Sequence, residues 1–206
     1  MKSNRHAAPL QRMKNRKISA GMAAVEFAFM VPLLLLLTMP MFDLARIIQA
    51  DLILINLSRE GANLALRMGR CPDLTQAYPQ CIMDKIAEAT PPLDMASNGK
   101  IYISKIIGNG PGKQNVILEQ YRWKQGSNQI SKVWACSAWA ADGKCSSIPG
   151  AGSPITDAMA NQLGAGEVIY VVEGLYHATL LFGSMNLGFG VTTPQFNPDL
   201  YSKTIF

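Results

Sequence analysis

Few side chains in this chain are placed to do chemistry. His177 is the only histidine beyond the N-terminal twenty residues. No serine or cysteine nucleophile motif accompanies it, so a packed or surface imidazole is expected rather than a general base. The sequence holds no H-E-x-x-H, no P-loop and no dinucleotide fingerprint, and the glycines of Gly108–Gly112 precede no helix that could cradle a phosphate. Four cysteines fall into two close pairs, Cys71 with Cys81 and Cys136 with Cys145. Neither pair has the C-x-x-C spacing of a zinc site, whereas an even number of thiols in an exported domain favours disulfides. Of the three possible pairings, the two local ones are expected. No enzyme activity, metal or cofactor is expected. Trp123, Trp134 and Trp139 could line a sugar-binding or adhesive surface, although packing is the commoner use of tryptophan.

One further residue stands out by its surroundings. Glu26 is the single charge in Met22–Phe42, a 21-residue run of otherwise apolar and small residues. An acid inside a membrane helix costs several kcal/mol unless it finds a partner or the interface.

The element that carries Glu26 follows from length. Twenty-one residues of helix span roughly 32 Å, enough to cross a hydrocarbon core of about 30 Å. Pro32 and Pro40 lie inside it and each removes a backbone donor, which favours a kink. The run is too long for the apolar core of an ordinary secretory signal and no A-x-A site follows it. Lys2, Arg5, Arg12, Lys14, Arg16 and Lys17 precede it with no acid among them, and they account for +6 against a net charge of +5 for the whole chain. The basic character is therefore a topology signal rather than a nucleic-acid footprint, and nucleic acid is not expected as a partner. By the same bias the N-terminus is cytoplasmic and everything beyond the span is outside.

The resulting organisation is a basic cytoplasmic leader (1–21), a transmembrane helix (22–42), an amphipathic stem helix (43–69) and a periplasmic domain (70–206). In the stem, Leu44, Ile48, Leu52 and Ile55 recur at helical spacing, broadened by Ile47, Leu54 and Leu57. This stripe is expected to pack on the chain's own domain. Gly61, with Ser58, Ala62 and Ala65 nearby, could permit another backbone to approach closely. Beyond the stem, Ile82–Ala89 reads as a short helix. Ile101–Ile107, Val116–Lys124, Val133–Ala140 and Glu167–Tyr176 read as strands, the first two joined by the glycine-rich connector of residues 108–115. Glu173, Gly174 and His177 interrupt the last apolar run, which excludes a second span. The fold class is α+β, a long N-terminal transmembrane and stem helix packed on a small antiparallel sheet.

The stretch KISAGMAAVEF places a basic leader, Gly21, four uncharged residues, Glu26 and Phe27 at the head of the apolar helix. It resembles the type IV prepilin processing signal. With the early proline and the REGAN motif at Arg59, Glu60, Gly61, Ala62 and Asn63, the chain resembles the TadE-like family of the tight-adherence pilus system. Asn63 departs from that family's frequent basic residue. The resemblance implies a type IV pilin-like fold and cleavage between Gly21 and Met22 by a prepilin peptidase. It also implies assembly through Glu26 and Phe27 with other pilins and pseudopilins at the pilus assembly platform. The implied place is the bacterial inner membrane and, on incorporation, the extracellular pilus. The competing expectation is a membrane-anchored adhesin or binding module that is not processed as a prepilin.

Overall fold

The computed structural model describes residues 10–66, 78–148, 154–183 and 196–206. Helix α1 runs from Leu10 to Leu66 and continues through Pro32 and Pro40. It is followed by α2 (Tyr78–Glu88), α3 (Met95–Asn98) and strands β1 (Gly99–Ile107), β2 (Asn115–Arg122), β3 (Ile155–Thr156), β4 (Val168–His177) and β5 (Asp199–Ile205). The strands form one antiparallel sheet in the order β3-β2-β1-β4-β5. This is the α+β arrangement expected from the sequence. The chain divides into two compact units, one of Met1–Ala45 with Leu181–Gln195 and one of Arg46–Leu180 with Phe196–Phe206.

In the second unit the sheet is covered on both faces, as the alternation of side chains along a strand allows. Ile101 and Ile103 of β1 join Val172 and Tyr176 of β4 in a cluster with Ala50, Leu54, Leu57 and Ala62 of α1 and Ile82, Met83 and Ile86 of α2. Ile106, Ile117, Ile169 and Val171 point to the opposite face and pack with Ala158 and Leu163. Each fully buried Leu or Ile contributes on the order of 1.5–3 kcal/mol. The two clusters are what hold the sheet between its covers.

The face that α1 buries keeps Leu54 and Leu57 of the expected stripe, with Ile47 packed beside them, and departs from it elsewhere. Ile48 and Leu52 remain more than half exposed, while Ala50, Leu54, Leu57, Ser58, Gly61 and Ala62 are buried. The sheet takes the side with the small residues because the backbones can come closer there. A Cβ on Gly61 would lie 2.7 Å from Ile86 Cδ1 and 3.1 Å from Val172 Cγ1. What approaches Gly61 is thus a pair of apolar side chains rather than another backbone. Across the interface, a Cβ on Gly174 of β4 would meet Leu54 and Leu57. The buried Ser58 hydroxyl lies 2.9 Å from Ser202 Oγ and 2.7 Å from Thr204 Oγ1, tying α1 to β5.

Two expectations about strands change. Residues 133–140 form no strand and contribute only an isolated bridge between Trp139 and Cys145. The amides of Lys132 and Val133 are committed to the Glu173 carboxylate and that of Trp134 to Ser131 Oγ, so they cannot enter a ladder. The outer edge of β2 is taken instead by β3 and by Gly143 and Cys145. The added strand is β5, whose alternation of Leu200, Ser202 and Thr204 toward α1 with Tyr201 and Ile205 toward the other face carries no strong apolar run.

Candidate functional site

The residues singled out at the head of α1 share one helical, solvent-facing environment. A Cβ on Gly21 would meet nothing within 4 Å. Met22 and Phe27 are 68% and 69% exposed, and Glu26 is exposed with no hydrogen bond or ion pair among the described residues. From Val25 to Phe42 the large apolar side chains are mostly exposed around the helix, including Phe29, Leu33, Leu34, Leu35 and Leu37. A helix apolar on all sides needs a non-aqueous surrounding. Gly21–Leu64 contains an 18-residue window of mean hydropathy 2.1, long and apolar enough to cross a membrane. It is the single candidate span among the described residues.

Asp43, the first acid past the apolar run, is 2% exposed. Its Oδ1 accepts the Leu181 amide at 2.8 Å and its Oδ2 accepts those of Phe182 and Gly183 at 3.0 and 3.1 Å. A carboxylate receiving three backbone donors fixes this loop to the helix within the first unit. The partners of Asp43 lie about 140 positions away and leave no local signal in the sequence.

The Arg59–Ala62 motif divides by burial. Arg59 and Glu60 are exposed and have no ion pair among the described residues, whereas Gly61 and Ala62 are buried under α2 and β4. The small half of the motif lets helix, helix and strand meet. The charged half lies outside that contact.

On the sheet face away from α1 lies a polar network that sequence reasoning did not anticipate. Glu173 is fully buried and accepts hydrogen bonds from Ser131 Oγ, the amides of Lys132 and Val133 at 2.9 and 3.1 Å, and Tyr201 Oη at 3.0 Å. Burial, reinforced by Glu173, pushes the Tyr201 phenol up. On the neighbouring strand β1, Lys100 is 4% exposed, and its ammonium donates to the Gln125 carbonyl at 2.8 Å. Burial first and the nearby Arg122 second push it down to about 8. The Arg122 guanidinium sits over the Trp139 ring, 5.0 Å from its centroid, and Trp139 lies 5.8 Å from the Tyr102 ring. Burial pushes the Tyr102 phenol up to about 12.

Trp139 is positioned by the Cys136–Cys145 disulfide, which spans a Cα–Cα distance of 6.0 Å, as expected for a local pairing. The loop it closes is held further by the Ala140 amide on Lys144 and the Ser146 amide on Ala138. Cys81 is buried at 7% exposure, and Cys71 lies outside the described residues, as does the basic leader before residue 10. Of the other tryptophans, Trp123 is buried with its indole donating to Asp84 at 2.6 Å, and Trp134 packs against the second apolar cluster. His177 is an exposed residue at the end of β4, with Nδ1 2.6 Å from Asp199. No nucleophile completes that pair, and among the described residues no three potential ligands converge on a metal position.

Residues 21–63 match the family model described as TadE-like protein. The matched stretch begins at Gly21 and ends with the REGAN motif, so it takes in the apolar helix, Glu26 and the small-residue contact at Gly61. No curated protein and no solved structure matches the chain.

Proposed function

We propose, taking the TadE-like match over residues 21–63 as the premise, that this chain is a minor pilin or pseudopilin of the tight-adherence type IV pilus system. It is a non-enzymatic subunit, anchored by one span in the bacterial inner membrane with its C-terminal domain in the periplasm, and it takes part in pilus biogenesis and surface adhesion. The match itself supports the coarser statement, a Tad pilus-associated protein. Its alignment with the glycine-to-glutamate spacing supports the finer one. Cleavage after Gly21 by a prepilin peptidase removes the basic leader and creates an α-amino group, whose ordinary pKa is about 7.7–8.0, at the head of the helix. Glu26 then gains a cation to pair with, on its own chain or on a neighbouring pilin. A charge that is costly in lipid becomes a register pin between subunits.

The exposed and unpaired state of Glu26 fits a residue whose partner is intermolecular. The test is N-terminal mass spectrometry of the protein from membranes of its host with and without an active prepilin peptidase. A peptidase-dependent chain starting at Met22 is the expected result. Retention of residues 1–21 in both hosts would reject processing and leave an unprocessed membrane-anchored binding module.

A further inference from the structure

The polar face of the sheet contains a cavity of about 120 Å³, lined among others by Lys100, Tyr102, Arg122, Gln129, Ser131 and Trp139. Its electrostatics are unbalanced. Lys100 is almost completely buried, yet its ammonium reaches only a neutral carbonyl. A buried ammonium ordinarily has a carboxylate beside it. Here the charged group that acts on Lys100 is a second cation, Arg122, whose guanidinium rests on the Trp139 ring with no carboxylate in an ion pair among the described residues. Glu173, the buried acid of this face, has its oxygens taken by Ser131, Lys132, Val133 and Tyr201. Gln129, which also lines the cavity, has a buried Oε1 that accepts from no donor among the described residues.

Two unneutralised cations ask for an anion, and a buried carbonyl oxygen asks for a hydroxyl or N–H donor. One small ligand that offers both must carry a carboxylate and a hydrogen donor a few atoms apart. We propose that this cavity binds a carboxylated sugar, a uronate residue, whose carboxylate lies between Lys100 and Arg122 and whose ring hydroxyl donates to Gln129. The planar guanidinium suits a carboxylate, and the aromatic wall holding it is set by the Cys136–Cys145 loop. Sulfate would satisfy the cations and leave Gln129 without a donor. A neutral hexose would do the reverse. The site is independent of prepilin processing and goes beyond the pilus-associated reading.

The test is titration of the full chain in detergent micelles with glucuronate and galacturonate, followed by calorimetry and tryptophan fluorescence. Glucose, inorganic phosphate and N-acetylglutamate, the last standing for an acidic peptide, are run alongside. Saturable uronate binding is expected, with each comparator about tenfold weaker or more, because each lacks one of the charge-assisted or neutral hydrogen bonds or its placement on a ring. Arg122→Gln and Lys100→Met should each weaken uronate binding about tenfold or more. Lys203→Ala, at an exposed position on β5, should leave it unchanged. Gln129→Met guards against a folding defect in the cation variants, because it should narrow the preference for uronate over N-acetylglutamate while circular dichroism stays native. Equal binding of N-acetylglutamate or phosphate by the unaltered chain overturns the sugar assignment. Absence of saturable uronate binding, or its survival in both cation variants, overturns the site.

Discussion

Gly174 of β4 and Leu54 of α1 meet with no room for another carbon: a Cβ on the glycine would stand 2.9 Å from Leu54 Cδ1. Leu57 Cδ2 would be 3.1 Å away, and both leucines are buried. Either would have to shift within a packed cluster. Gly174→Val is therefore expected to destabilise the domain by about 1–3 kcal/mol through overpacking. Denaturant unfolding followed by tryptophan fluorescence would measure it, and a midpoint unchanged from the parent would mean that α1 does not press on β4.

Glu173 holds residues 131–133 against β4 and β5 with four donors around one carboxylate. Glu173→Gln keeps the shape but turns an amide NH2 toward groups that are already donors. A loss of about 2 kcal/mol or more is expected, against about 1 kcal/mol for Tyr201→Phe, which removes a single bond. The comparison of the two variants in urea is the check. Equal losses would show that the carboxylate does not organise the loop.

Lys100 gives stability a characteristic pH dependence. Its folded ammonium titrates at about 8, whereas an ordinary lysine does so at 10.5. Between these values the unfolded chain binds the extra proton, so stability rises with pH. The phenols of Tyr102 and Tyr201, both pushed up, act oppositely above about pH 10, where the unfolded phenols ionise first. The rise attributable to Lys100 thus occupies pH 8 to 10. Lys100→Met should raise the melting temperature at pH 7 and flatten that rise. Identical pH profiles for variant and parent would contradict the burial of a charged ammonium.

For the assembly role, Glu26→Ala should leave membrane insertion intact, since it removes a charge from an apolar helix. Pilus formation should fall sharply, scored by shear-released fibres and electron microscopy. Gly21→Leu should act one step earlier and accumulate the unprocessed chain. Normal piliation in Glu26→Ala would remove the pairing role assigned to this carboxylate.

The parts legible in the sequence were those written in contiguous residues. The apolar run announced the long helix, and β-branched stretches announced β1, β2 and β4 to within two residues at each end. The Gly21-to-Glu26 spacing and the REGAN motif were likewise local. What escaped depends on partners far away in the chain. Glu173 looked like an interruption in an apolar strand because its donors are about 40 positions earlier and on β5. On the buried side of α1, Leu54 and Leu57 were legible, but hydropathy weighs Ile48 and Leu52 above Ala50, Ser58 and Gly61, while close packing favours the small residues. The cation pair at Lys100 and Arg122 is joined only by the pairing of β1 with β2.

The link between Ser58 and Ser202 spans 144 positions. During synthesis the helix comes first, and the strands that cover its packed side come at the far end of the order in which residues appear. Closure over the similar span from Leu54 and Leu57 to Gly174 of β4 is slow, and until it happens these leucines are without their strand. The nascent domain therefore passes through a stage in which an apolar helix side is open to wrong pairings. Truncations that remove β5 should accordingly show themselves as aggregation and proteolysis rather than as a smaller folded domain.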